Sequence, residues 1–61
     1  MSAANQIYAL LQNEALFDSE LAERLPSFSP NTIRRARRDL VSQGKIAPVG
    51  SEKSPRYKAV A

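Results

Sequence analysis

Sixty-one residues make one small domain at most, because a second hydrophobic core would need roughly twice that length. Apolar residues at 43% and charged residues at 25% allow an ordinary globular core, while the absence of Cys and His removes disulfides, thiol and imidazole catalysis and the common zinc sites. The net charge of +3 is unevenly divided: residues 1–30 set Arg24 against Glu14, Asp18, Glu20 and Glu23, a net −3, and residues 31–61 set eight basic residues against Asp39 and Glu52, a net +6.

Ile7, Leu10 and Leu11 recur at three to four residues with amides between them, which predicts an amphipathic helix over about residues 3–13. Ala15-Leu16-Phe17 is too short for a helix and reads as a minimal edge strand or a packed loop. Asp18, with Ser19 as its competitor, is the expected N-cap of a second helix over about 18–25. Glu20 and Glu23 place negative charge near its positive end, and Glu20 and Arg24 stand in the favourable i, i+4 order for an ion pair. Pro26 stops that helix, because the residue before a proline is pushed out of the helical region.

Ser29 and Pro30 supply an N-cap and a first-turn proline, so a third helix is predicted over about 30–43 with Gly44 as its stop. The corner between the second and third helices has helix-turn-helix length but lacks the glycine common there. Residues 45–49 and 56–60 read as two strands around the turn-forming segment Gly50-Ser51-Glu52-Lys53-Ser54. Leu16, Phe17, Phe28 and Val49 are expected to close the core beneath the connections. Tyr8 and Tyr57 could stack on bases, but their spacing favours core or hinge positions.

At about 100° per residue, Ile33, Ala36 and Leu40 fall on one side of the third helix, with Val41 flanking. Asn31, Arg34, Arg35, Arg38 and Ser42 fall on the other. Arginine's planar fork matches guanine edges or phosphate oxygens, and an asparagine amide can pair with adenine, so this set suits a helix lying in a DNA major groove. A solvated face is the plain alternative, but arginines crowded without an acidic partner before Asp39 would repel one another. Arg37 falls toward the core side and is expected to snorkel or to pair with a carboxylate of the first or second helix.

The stretch Asp18-Ser-Glu-Leu-Ala-Glu-Arg-Leu25, the capped helix from Ser29 through Gly44-Lys45-Ile46, and the later Arg56-Tyr57-Lys58 together resemble the winged helix-turn-helix domains of bacterial and phage regulators. The resemblance covers nearly the whole chain. It implies an α+β fold, a single domain over residues 1–61 with three helices and a C-terminal two-stranded hairpin, the wing. It also implies double-stranded DNA as partner. Ser29-Pro30-Asn31 is similar to the start of the recognition helix in the SOS repressor LexA, whose base-contacting positions would fall on Ser29, Asn31, Thr32, Arg34 and Arg35. Arginines stand where that repressor has glutamates, which implies different bases. In such a domain Lys53 at the wing tip, with Arg56 and Lys58 on the returning strand, would meet phosphates or a minor groove.

The expected DNA-binding set is therefore Ser29, Asn31, Thr32, Arg34, Arg35, Arg38, Lys53, Arg56 and Lys58, in a transcriptional regulator or other DNA-site recognition module. A winged helix used for protein–protein contact is the rival reading, and an exposed apolar patch would distinguish it. A Z-form or RNA binder would need aromatic platforms, and this chain has no Trp and only two tyrosines. No catalytic residue, cofactor, metal or small-molecule ligand is expected: Ser29 lacks a base, and helix-start charge accounts for most of the carboxylate cluster. The longest apolar run, Ile7 to Leu11, is far short of a membrane span, and a cytoplasmic location fits the absence of Cys. The first helix is too short for a dimerisation coil, so the expected state is a monomer in solution with scope to pair on DNA.

Overall fold

The computed structural model describes residues 2–60. Helices α1 (Ala3–Leu11), α2 (Asp18–Arg24) and α3 (Pro30–Ser42) are followed by strands β1 (Ile46–Val49) and β2 (Arg56–Ala59), which pair as an antiparallel hairpin. This small α+β arrangement is consistent with a winged-helix layout. None of the helices is long and apolar enough to cross a membrane, among the described residues.

In α1 the hydroxyl of Ser2 accepts the Asn5 amide at 3.2 Å as an N-cap, and Ala3, Ile7 and Leu11 form the buried face. The helix ends two residues before the predicted boundary. Gln12 and Asn13 close it with tighter bonds to Ala9 and Leu10, a common way for a last turn to satisfy its carbonyls.

Leu16 then makes a single-residue antiparallel bridge to Tyr57, its amide donating at 3.0 Å and the Tyr57 amide returning a bond of 2.8 Å. The minimal edge strand predicted for residues 15–17 thus exists as one pair. It also overturns the expected capping of α2. The backbone stays extended through Phe17 (φ −73°, ψ 159°), so Phe17, not Asp18 or Ser19, occupies the N-cap and Asp18 is the first helical residue. A phenyl side chain has no oxygen to offer the first-turn amides, so only the reciprocal half of a capping box forms: the Phe17 amide donates to Glu20 Oε1 at 2.9 Å. That contact occupies Glu20. Arg24 turns instead to Glu14, in place of the expected i, i+4 pair, with bonds of 2.7 and 3.0 Å.

Leu25 leaves the helical region (φ −125°, ψ 64°) ahead of Pro26, and the Phe28 amide closes the corner on the Leu25 carbonyl at 3.1 Å. No corner residue takes a positive φ, which explains why the corner manages without glycine. Ser29 caps α3 by accepting the Thr32 amide at 3.2 Å, with Pro30 in the first turn. At the other end Gly44 (φ +73°) lets Gly44 and Lys45 donate to the carbonyls of Val41 and Leu40, the paired bonds of a Schellman motif. Both predicted ends of α3 are therefore within a residue of the observed ones.

The hairpin pairs Ile46 with Ala59, Ala47 with Lys58, Pro48 with Tyr57 and Val49 with Arg56. Tyr57 gives its N–H and C=O to Leu16, on the side away from β1, so the pair with Pro48 exchanges no bonds and the missing proline N–H costs the ladder nothing.

Ile7, Leu11, Leu16, Leu21, Leu25, Ile33, Leu40 and Ile46 form one buried cluster, with Tyr8, Phe28, Ala36, Val41, Tyr57 and Ala59 packed around it. Two residues expected to close that core do not. Val49 is 43% exposed, because the strand alternation that buries Ile46 turns Val49 to the outer face of the hairpin beside Arg56. Phe17 is only half-buried and stands outside the cluster. Leu40 is 3% exposed at the centre of α3's buried face. Leu40→Ala should cost about 2–5 kcal/mol, comparable with the whole stability of so short a chain, and a circular dichroism melt should show the variant largely unfolded.

Candidate nucleic-acid interface

The buried side of α3 is made by Ile33 and Leu40 with half-buried Ala36, Arg37 and Val41. Asn31, Thr32, Arg34, Arg35 and Arg38 are all exposed. The division follows the 3.6-residue period, so the four residues Asn31, Arg34, Arg35 and Arg38 come together on one face as predicted. Among the described residues none of Arg34, Arg35 and Arg38 has an ion-pair partner, and Asp39, one turn beyond Arg35, does not bridge to it. Three guanidinium forks therefore point into solvent from adjacent turns.

Arg37 behaves differently, as its inward position predicts. Its Nε and Nη2 donate to the two carboxylate oxygens of Asp18, both at 2.8 Å, and its side chain is only 15% exposed. The hydrogen bonds to Asp18 raise the guanidinium pKa above its ordinary value against the opposing effect of burial. The same guanidinium lies 4.4 Å from the centre of the Tyr57 ring.

The remaining predicted contacts are distributed less evenly. The Ser29 hydroxyl, having accepted the Thr32 amide, donates to Thr32 Oγ1 at 2.9 Å, so the free hydroxyl hydrogen at this end of α3 belongs to Thr32. Lys53 is exposed in the hairpin loop, where it shares a cleft with Phe17, Asp18, Ser19, Ser54, Pro55 and Tyr57 at the start of α2. Arg56 is stacked 4.2 Å above the Phe17 ring. Lys58 reaches back to the Gln12 carbonyl at 3.5 Å, at the negative end of α1 and away from the loop.

Phe17, assigned to the core by its apolarity, is thus the platform on which Arg56 rests. Antiparallel pairing of Leu16 with Tyr57 sets Phe17 opposite Arg56 on the outer face. The apolar triplet 15–17 signalled a strand, but nothing local to it named the partner.

Away from α3, hydrogen bonding from Arg24 holds the Glu14 carboxyl below its usual value, outweighing the upward effect of desolvation, with the Arg24 charge adding to the depression. A depressed carboxyl stabilises the fold above its unfolded pKa and loses that contribution as pH falls through the folded one. Both side chains are well exposed, so the effect should be small and screened. Glu14→Gln should lower the urea midpoint slightly at pH 7 in low salt, and the difference should vanish in high salt or below about pH 3.

Comparison with family models, curated proteins and solved structures gives no match.

Proposed function

We propose that this chain is a winged helix-turn-helix domain of the kind found in bacterial and phage regulators, and that it binds double-stranded DNA site-specifically with α3 in the major groove. The observation that carries the reading is the contrast within α3. Arg37 has a carboxylate partner, whereas Arg34, Arg35 and Arg38 stand exposed with none among the described residues. Three like charges on adjacent turns repel one another and find compensation in a polyanion.

Scale supports the same reading. Asn31 to Arg38 spans about 10 Å along the helix axis, and a major groove of about 12 Å admits such a helix. In this arrangement Asn31, Arg34, Arg35 and Arg38 face base edges or groove walls. Thr32, whose hydroxyl hydrogen is unspent, meets phosphate, and Ser29 fixes the start of the helix that presents them. Lys53 at the wing tip, with Arg56 beside it, adds backbone attraction that is indifferent to sequence. Lys58, drawn toward α1, contributes only to the surrounding field. The role proposed with it is transcriptional control or another DNA-site recognition task.

Selection of bound sequences from a random duplex pool tests the proposal directly, because it reports binding, the preferred site and any half-site symmetry together. On the selected site, Arg35→Ala should remove about 1–3 kcal/mol of discrimination and flatten preference at one or two base pairs. Lys53→Ala should weaken all duplexes alike and reduce the logarithmic salt slope by about 0.9, the loss of one neutralised phosphate. Equal loss on selected and scrambled DNA for Arg35→Ala would exclude base reading by that residue. If neither substitution changes binding to any duplex, the basic face is solvated surface and the protein-contact reading replaces this one.

A further inference from the structure

Arg37 is the one arginine of α3 that a groove-binding helix would not use, and it is the most constrained. Its side chain is 15% exposed, its fork is closed on Asp18 by two bonds of 2.8 Å, and its Cζ lies 4.4 Å from the Tyr57 ring centre. We propose that Arg37 is a positioning residue of the nucleic-acid interface: through the Asp18 clamp and the Tyr57 stack it sets the tilt of the wing against α3. The inference rests on the DNA-binding reading above.

Stability alone does not account for such a group. A partly exposed ion pair contributes little net stability, and an apolar pair of similar volume commonly serves the fold as well. What a bidentate arginine–carboxylate pair supplies is direction, since two parallel bonds fix the guanidinium plane as a single bond does not. Asp18 holds that plane from the first turn of α2, and Arg37 carries it from the middle of α3. The stacked ring belongs to the strand that leads out of the wing loop.

The wing needs an external reference. A two-stranded hairpin of four-residue strands is marginal by itself, and Lys53 sits in the six-residue connection between them. The Leu16 bridge, the Lys58 bond to Gln12 and the Arg56 contact with Phe17 tie β2 to the first half of the chain, and Ile46 of β1 packs in the core at the base of the hairpin. The stack of Arg37 on Tyr57 is a direct contact between β2 and the helix that bears Arg34, Arg35 and Arg38. Helix cations and wing cation then meet a duplex as one preformed set, without an ordering cost at the moment of binding.

The test is a double-mutant cycle between Arg37 and Lys53 on the selected duplex, read as affinity at several salt concentrations. Two backgrounds are used: Arg37→Met with Asp18→Asn, which removes both charges of the pair, and Arg37→Lys, which keeps the charge and loses the fork. In the parent, Lys53→Ala should lower the salt slope by about 0.9. In both backgrounds it should change affinity less than twofold and leave the slope unaltered, while base preference due to Arg35 persists. Residual dipolar couplings of the free proteins should show the wing amides reoriented against α3 in both backgrounds, with α1 and α3 unchanged.

An undiminished effect of Lys53→Ala in either background, or unchanged wing couplings, would overturn the role of Arg37 while leaving DNA binding intact. Absence of salt-dependent duplex binding by the parent protein would instead overturn the DNA-binding reading, and this role with it.

Discussion

Two hydrogen bonds between Leu16 and Tyr57 join the acidic first half of the chain to the basic second half, and much of the architecture follows from them. They hold the backbone extended into Phe17, so α2 cannot begin before Asp18. Strand alternation then sends Leu16 into the core and Phe17 to the opposite face, where its ring meets Arg56. Asp18, the next residue, is placed to close on Arg37. Three successive residues thus reach three different partners by backbone pairing, aromatic stacking and ionic bonding. The bridge also takes both backbone groups of Tyr57 and so allows a proline opposite it.

Features governed by local sequence were the legible ones. The caps at Ser29 and Gly44 and the inward side of α3 follow from side-chain chemistry and the helical period, and the structure has them where those rules place them. Arg37 was readable as an inward residue seeking a carboxylate, though not which carboxylate, because Asp18 lies nineteen positions away. The failures share one cause. Asp18 is a good N-cap by type, Glu20 and Arg24 are well spaced, and Val49 and Phe17 are apolar, yet each outcome was decided by the distant Leu16–Tyr57 contact or by hairpin register. Val49 shows this most simply: a short strand alternates sides, but its own residues do not say which side is covered. At the candidate site, the α3 face was legible from period alone, whereas the fates of Arg56 and Lys58 depended on Phe17 and on the end of α1.

The same helix carries two opposite demands. Its outer face concentrates positive charge, which weakens the isolated helix, and its inner face must hold a core of eight buried cluster residues among those described. The ends of α3 offset part of that conflict. Ser29 satisfies an orphan amide at the start, and the Gly44 turn satisfies two carbonyls at the finish, so the helix does not rely on its charged surface for stability. Five core residues outside α3, Ile7, Leu11, Leu16, Leu21 and Leu25, come from the acidic half. That half supplies apolar support, while its carboxylates form their ion pairs with Arg24 and Arg37 and none with the exposed arginines of α3, among the described residues.

Pro48 has a consequence for behaviour at high concentration. β1 is the open edge of the hairpin, and of its two outward-facing positions, 46 and 48, only Ile46 carries an N–H. A strand arriving from another molecule would therefore find the Ile46 N–H and the two carbonyls but a gap in the row of donors at Pro48, which weakens any ladder built there. Crowded copies of the chain are thereby discouraged from fusing their hairpins into a shared sheet.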